Sequence, residues 1–252
     1  MRLALRATSE VATRTGRILL AERTLTALGL VDQHPTESDP RLEYVEVLAT
    51  YDALITDSVH PNDDIEMALN AGISCVIWAD AEEAHAEYHD DYANAGLRLV
   101  TGCNLATGIA PALVTHEVAA TDNVLETSIA WTEPGTPRRR GRAIPFPDPV
   151  GSRWADECPT TLADRCYVAR VNGEWAAAMA QVTGASDAGV LTRIVGVSDL
   201  AVHLEALALA GGAIVVGDFP TGSSHPADQA EAYLSRLLDA GLDVAAHTLR
   251  GN

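Results

Sequence analysis

Two adjacent hydroxyls, Thr8 and Ser9, open the turn Ala7-Thr8-Ser9-Glu10-Val11-Ala12-Thr13, between the apolar run MRLALRA and a helix predicted over residues 11–23. A second apolar run, TLTALGLVD, follows and ends in Asp32. Strand, turn, helix and a strand closing in an acid is the order that holds a dinucleotide, with the pyrophosphate at the helix N-terminus and the acid on the adenosine ribose. The spacing makes Thr8, Ser9 and Asp32 the candidate cofactor residues. This turn has no glycine, so the positive φ and the close approach of backbone N–H groups to phosphate are not available to it. Glu10, in the first helical turn, favours the positive helix end and repels a phosphate there. NAD or NADP is therefore expected to bind weakly, with Asp32 favouring NAD by bonding the ribose hydroxyls.

Every cationic side chain other than histidine is arginine, since the chain has no lysine. That excludes a Schiff-base lysine, a lysine general acid and a Walker-type phosphate lysine. Arg138, Arg139, Arg140 and Arg142 form one basic island, able to clamp a carboxylate or phosphate and read here as the candidate substrate-binding residues, against a hydrated loop as the plainer reading. His85 and His89, four apart on a predicted helix, could present two ligands to a metal, but no third ligand is placed and no metal is expected. His116-Glu117 has acid–base chemistry but sits deep in its helix, which favours a structural role. The stretch from Gly217 to Pro226 is rich in turn formers and is expected to be a plain turn. Cys75, Cys103, Cys158 and Cys166 show no C-x-x-C spacing and read as buried free thiols.

Strands alternating with helices continue through the first half: YDALITDS, a helix over 63–71 ended by Gly72, ISCVIWAD, a helix over 81–95 stopped by Gly96, LRLVTGCN, and a helix over 105–120. This pattern predicts a doubly wound parallel sheet over residues 1–122. Beyond it NVLETSIAWT, RAIPFP and a hairpin of CYVARV and EWAAAMAQV on Asn172-Gly173 read as antiparallel. GVLTRIVGV, a helix over 199–210, the strand AIVVGDF, a helix over 226–240 and LDVAAHTL complete the chain. The expectation is an α/β protein, a Rossmann-like domain followed by an α+β domain over 123–252 that carries a mainly antiparallel sheet and a dimer surface.

With 252 residues, 47% hydrophobic content and a net charge of −18, the composition is that of a globular protein and argues against nucleic acid and anionic membrane surfaces as partners. The N-terminus has no long apolar core of a signal peptide, so a cytoplasmic location is expected.

The run YDALITDSVHP, NAGISCVIWADAEE and LRLVTGCNLATGIAPALV resembles the dihydrodipicolinate reductases, and more loosely the saccharopine and Gfo/Idh-type two-domain oxidoreductases. The resemblance covers residues 1–122 in element order. It implies that Ser58, followed by His60-Pro61, and Asn104 line the cofactor site. The family's G-x-x-G-x-x-G falls on Ala7, Glu10 and Thr13, and its Gly-Thr-Thr-Gly on Trp78-Ala79-Asp80-Ala81. Its substrate histidines fall on Thr132 and Glu133, and its lysine donor has no counterpart. The resemblance thus implies an oxidoreductase-like protein, transferring hydride to a small carbonyl or imine if active, but not a true dihydrodipicolinate reductase. The alternative is a non-catalytic binding or assembly protein; on either reading a homodimer or homotetramer is expected, with a small-molecule ligand as partner. No catalytic residue is assigned.

Overall fold

Short runs, most of them continuously apolar, form the first sheet of the computed structural model, which describes residues 1–35, 38–186 and 189–250. β1 (Arg2–Arg6), β2 (Ala27–Leu30), β3 (Leu42–Tyr44), β4 (Ala53–Thr56), β5 (Ser74–Ile77) and β6 (Arg98–Val100) are all parallel, in the order β6-β5-β4-β1-β2-β3. β4 and β5 are buried along their whole length, as a parallel sheet covered on both faces requires. Leu3, Leu5 and Ile55 face one core while Ala4, Leu54 and Ile77 face the other. The second core is closed by Ile65 and Ala68 of α2 (Asn62–Ala71) and by Tyr88 and Tyr92. α2 ends on Gly72, whose φ of 71° is the left-handed cap that glycine supplies without strain. The helix expected over 81–95 is two, α3 (Glu82–Glu87) and α4 (His89–Asn94), broken where Tyr88 turns in to the core. The helix expected over 105–120 opens as a π turn, Leu105–Ile109, before α5 (Ala110–Ala119).

The second sheet holds β7 (Val124–Pro134), β8 (Arg142–Pro145), β9 (Ser152–Cys158), β10 (Arg165–Val171), β11 (Trp175–Ser186), β12 (Gly189–Leu200) and β14 (Val244–Arg250), in the order β14-β12-β11-β7-β10-β9-β8. It is antiparallel except between β7 and β10. The Asn172-Gly173 turn does not join paired strands: β10 and β11 lie on either side of β7, and the turn carries the chain over the end of β7. Turn chemistry specified the reversal but not what would slot between its arms. Cys158 and Cys166 are directly opposite across β9 and β10 and form a disulfide, which corrects the expectation of four free thiols; Cys75 and Cys103 are free and buried.

α6 (Ala201–Ile214) joins the two sheets. Its ALALAGGA run is buried all round, and AIVVGDF, expected as a strand, instead supplies the end of this helix and a 3-10 turn, Val216–Asp218. An apolar run of that length has no period to distinguish strand from buried helix. A Cβ at Gly212 would strike Cys103 and Val76, so only glycine allows α6 this close to the first sheet. The segment read as a plain turn then adds β13 (Gly222–Ser224) beside β6, parallel to it, as a seventh strand of the first sheet. α7 (Ala230–Asp239) packs against α5 and α6.

Candidate functional site

The strand order reverses between β1 and β4, and the crevice beyond the carboxyl ends of such strands is where open α/β sheets place ligands. Three of the expected residues arrive there on the loops that leave β1 and β4, and Asp32 follows β2. Ser9 caps α1 (Glu10–Ala21), its hydroxyl accepting from Val11 N at 3.0 Å. Thr8 donates to Oδ1 of Asp57 twice, from its backbone N–H at 3.1 Å and its hydroxyl at 2.6 Å, and the Ser9 hydroxyl donates to Oδ2. Asp57 is only 6% exposed. The donors expected to receive a pyrophosphate are thus engaged by a carboxylate of the protein itself. Glu10 is exposed at the rim, so the nearer obstacle to phosphate is Asp57, which the sequence did not single out.

Asp32 has a positive φ of 60° and a side chain 71% exposed, 3.5 Å from Arg6. Arg6 also pairs with Asp64, whose buried carboxylate accepts from Thr56 Oγ1 at 2.6 Å. That bond to Asp64 raises the guanidinium above its ordinary range, against the lowering effect of burial. Ser58 is used locally, its N–H on Thr56 Oγ1 and its hydroxyl accepting from His60 N.

At the ends of β5 and β6, Asn104 donates to the Trp78 carbonyl at 2.9 Å and accepts from Thr107 N at 2.9 Å, which caps the π turn. Beside it Glu205 of α6 accepts on Oε2 from Trp78 Nε1 at 2.7 Å and from Leu105 N at 3.2 Å. The residue keeps some exposed surface, yet its carboxylate is packed among protein atoms, and that burial pushes the carboxyl up to about 7 against the opposing pull of both donors. The sequence signal was an acid inside an otherwise apolar helix.

The remaining candidates lie elsewhere. Arg138 pairs with Asp156 at 2.6 Å and Arg142 donates to Tyr167 Oη at 3.0 Å, both within the second sheet, while Arg139 and Arg140 are exposed. His85 stacks on His225, ring centroids 4.3 Å apart, and His89 engages Ser223, so the pair tethers β13 rather than converging on a point; among the described residues no group of His, Cys, Asp and Glu could hold a metal. Glu117 is buried and pairs with Arg193 of β12, a structural use.

No family model and no curated protein sequence matches this chain. Solved structures do. Saccharopine dehydrogenase (L-Glu forming) from Saccharomyces cerevisiae superposes with a TM-score of 0.71 at 10% identity, over 98% of this chain and 99% of that one. The chain shares its two-domain α/β fold with this and the following structures. A dipicolinate-bound dihydrodipicolinate reductase from Paenisporosarcina sp. TG-14 gives 0.57 at 10% identity over 91% and 98% of the two chains. The diaminopimelate dehydrogenase of C. glutamicum gives 0.54 at 11% over 90% and 93%. The resemblance read from the first half of the sequence therefore holds for the fold of the whole chain. No described helix is long and apolar enough to cross a membrane.

Proposed function

We propose that this protein keeps the two-domain oxidoreductase scaffold, holds NAD or NADP weakly at most, and acts as a binding or assembly subunit. The observation that supports this is the Asp57 carboxylate on Thr8 and Ser9. A pyrophosphate would have to displace a bonded carboxylate and then lie against its charge, so these residues do not fit the cofactor. Titration calorimetry with NADH and NADPH should show dissociation constants of about a millimolar or no heat, and Asp57→Ala should tighten binding at least about tenfold by freeing those donors. A micromolar constant in the parent protein overturns the proposal.

For assembly, β14 supplies a sheet edge whose residues 245–250 are all exposed, consistent with a homodimer or homotetramer built on the second sheet. Light scattering that finds a monomer at micromolar concentration removes that part.

A second reading, residual reduction of a small carbonyl or imine, is favoured by Glu205, which would retain a proton near neutral pH next to Asn104. Measurable turnover of such substrates at saturating NADH would establish it.

A further inference from the structure

On the side of α1 away from its buried residues, Glu10, Arg14, Arg17, Ile18 and Ala21 form one stripe at helical spacing. That stripe, the end of α6 and α7 enclose a groove of about 550 Å³ that runs along α1 from Glu10, at the crevice end of the helix, to Glu22. Ile18 and Ile214 give it an apolar floor, and Arg14, Arg17 and Arg236 bring three guanidinium groups to its walls. In a chain with a net charge of −18, such a convergence of cations calls for a reason.

Arg14 is held in place. Its Nε donates to His203 Nδ1 at 3.0 Å, and His203 Nε2 stands 3.7 Å from Asp199. This geometry requires an unprotonated Nδ1, so the neutral imidazole is the form that orients the arginine, and burial lowers the histidine in the same direction. With Nε occupied, the two terminal nitrogens of Arg14, which have no protein acceptor among the described residues, are left for a ligand.

Two of the three acids on the lining are accounted for. Glu22 accepts from Thr24 N and Oγ1, both at 3.0 Å, and Asp239 lies 3.5 Å from Arg236. Glu10 remains at the exposed rim. We propose that the groove binds a small amphiphilic anion, its carboxylate or phosphate on Arg14 and its short apolar body on Ile18 and Ile214.

The probes are hexanoate, hexyl phosphate and inorganic phosphate, followed by thermal unfolding and titration calorimetry. At about a hundredfold excess over Kd, hexanoate or hexyl phosphate should raise Tm by about 5 °C in the parent. Arg14→Met should abolish the rise. His203→Phe, which keeps the ring and removes the acceptor, should weaken binding several-fold, and Glu10→Gln, a change at an exposed position, should tighten it. NADH at about millimolar concentration should not compete, because Thr8, Ser9 and Asp32 are not on the groove lining. A flat Tm with all three probes overturns the proposal, as does an equal rise in the Arg14→Met protein. Inorganic phosphate binding as tightly as hexyl phosphate removes the apolar half and overturns it equally; Glu10→Gln without effect on Kd places the anion elsewhere.

Discussion

Replacing Glu205 with glutamine tests how the junction of α6 and the first sheet is held. The carboxyl rises from 4.5 to about 7, because burial among α6, Trp78 and the π turn outweighs the two N–H donors on Oε2. A carboxyl with a raised folded-state value stabilises the protein fully below its unfolded value, and that contribution is lost as pH rises through the folded value. The window therefore runs from about pH 4.5 to about 7. At about 1.4 kcal/mol for each pH unit, the cost of ionising Glu205 is about 3 to 3.5 kcal/mol above the window. Glutamine does not titrate, yet its carbonyl still accepts from Trp78 and Leu105. Urea unfolding of parent and Glu205→Gln should thus give similar stabilities near pH 4.5 and diverge with rising pH, the variant ending about 3 kcal/mol more stable at pH 8, or about 1 M or more in urea midpoint. Comparing the two proteins cancels every other titrating group. A tryptophan fluorescence titration adds a local readout, since Trp78 bonds the group directly, and its transition near pH 7 should vanish in the variant. Parallel pH profiles for the two proteins would refute the buried-carboxylate reasoning.

Three further outcomes follow from the packing. Glu10→Gly with Ala7→Gly should leave dinucleotide affinity unchanged to within about threefold by calorimetry, because Asp57 still holds the Thr8 and Ser9 donors. Reduction of Cys158–Cys166, which closes a short loop with a sequence separation of 8, should cost about 2 kcal/mol in urea unfolding with and without reductant. Gly212→Ala should lower stability by about 1–3 kcal/mol, since its Cβ would meet Cys103 Sγ at 2.5 Å and α6 must shift.

Five strands of the first sheet, β1, β2, β4, β5 and β6, were legible because each is a short apolar run, and because β1, α1 and β2 follow in the order of a dinucleotide-binding unit; β3, Leu-Glu-Tyr and partly exposed, was not. What was not legible depended on partners far away in sequence. The ends of β10 and β11 are marked by Asn172-Gly173, but the insertion of β7 between them is set by pairing in register with residues some forty positions earlier. AIVVGDF has strand composition, yet Gly211 and Gly212 just before it let α6 approach α7 and the first sheet, so the helix persists through Ile214. β13 is three small and polar residues whose strand conformation comes only from the exposed edge of β6. Opposed cysteines require a register to be known first, which is why Cys158 and Cys166 read as separate thiols.

The candidate site shows the same division. Thr8, Ser9 and Asp32 were named from their places after strands and Ser58 from the family resemblance, and the strands do bring them to one crevice. The partners of Thr8, Ser9 and Asp32 came from other segments, Asp57 across the switch point and Arg6 between Asp32 and Asp64, and Glu205 of α6 likewise reaches Trp78 and Leu105 beside Asn104. A crevice built to receive an anion from outside would present N–H and hydroxyl groups without acceptors, at a cost repaid on binding. Here Asp57 satisfies them in advance, and Glu205 does the same for Leu105 N at the start of the π turn. Satisfied donors raise the stability of the free protein and lower its affinity for an external anion by the same interactions, since a ligand gains only the difference between its bonds and those it replaces. Dinucleotide binding and an internally bonded crevice therefore oppose one another, and the affinity gained by Asp57→Ala should be accompanied by a loss of stability in the free protein.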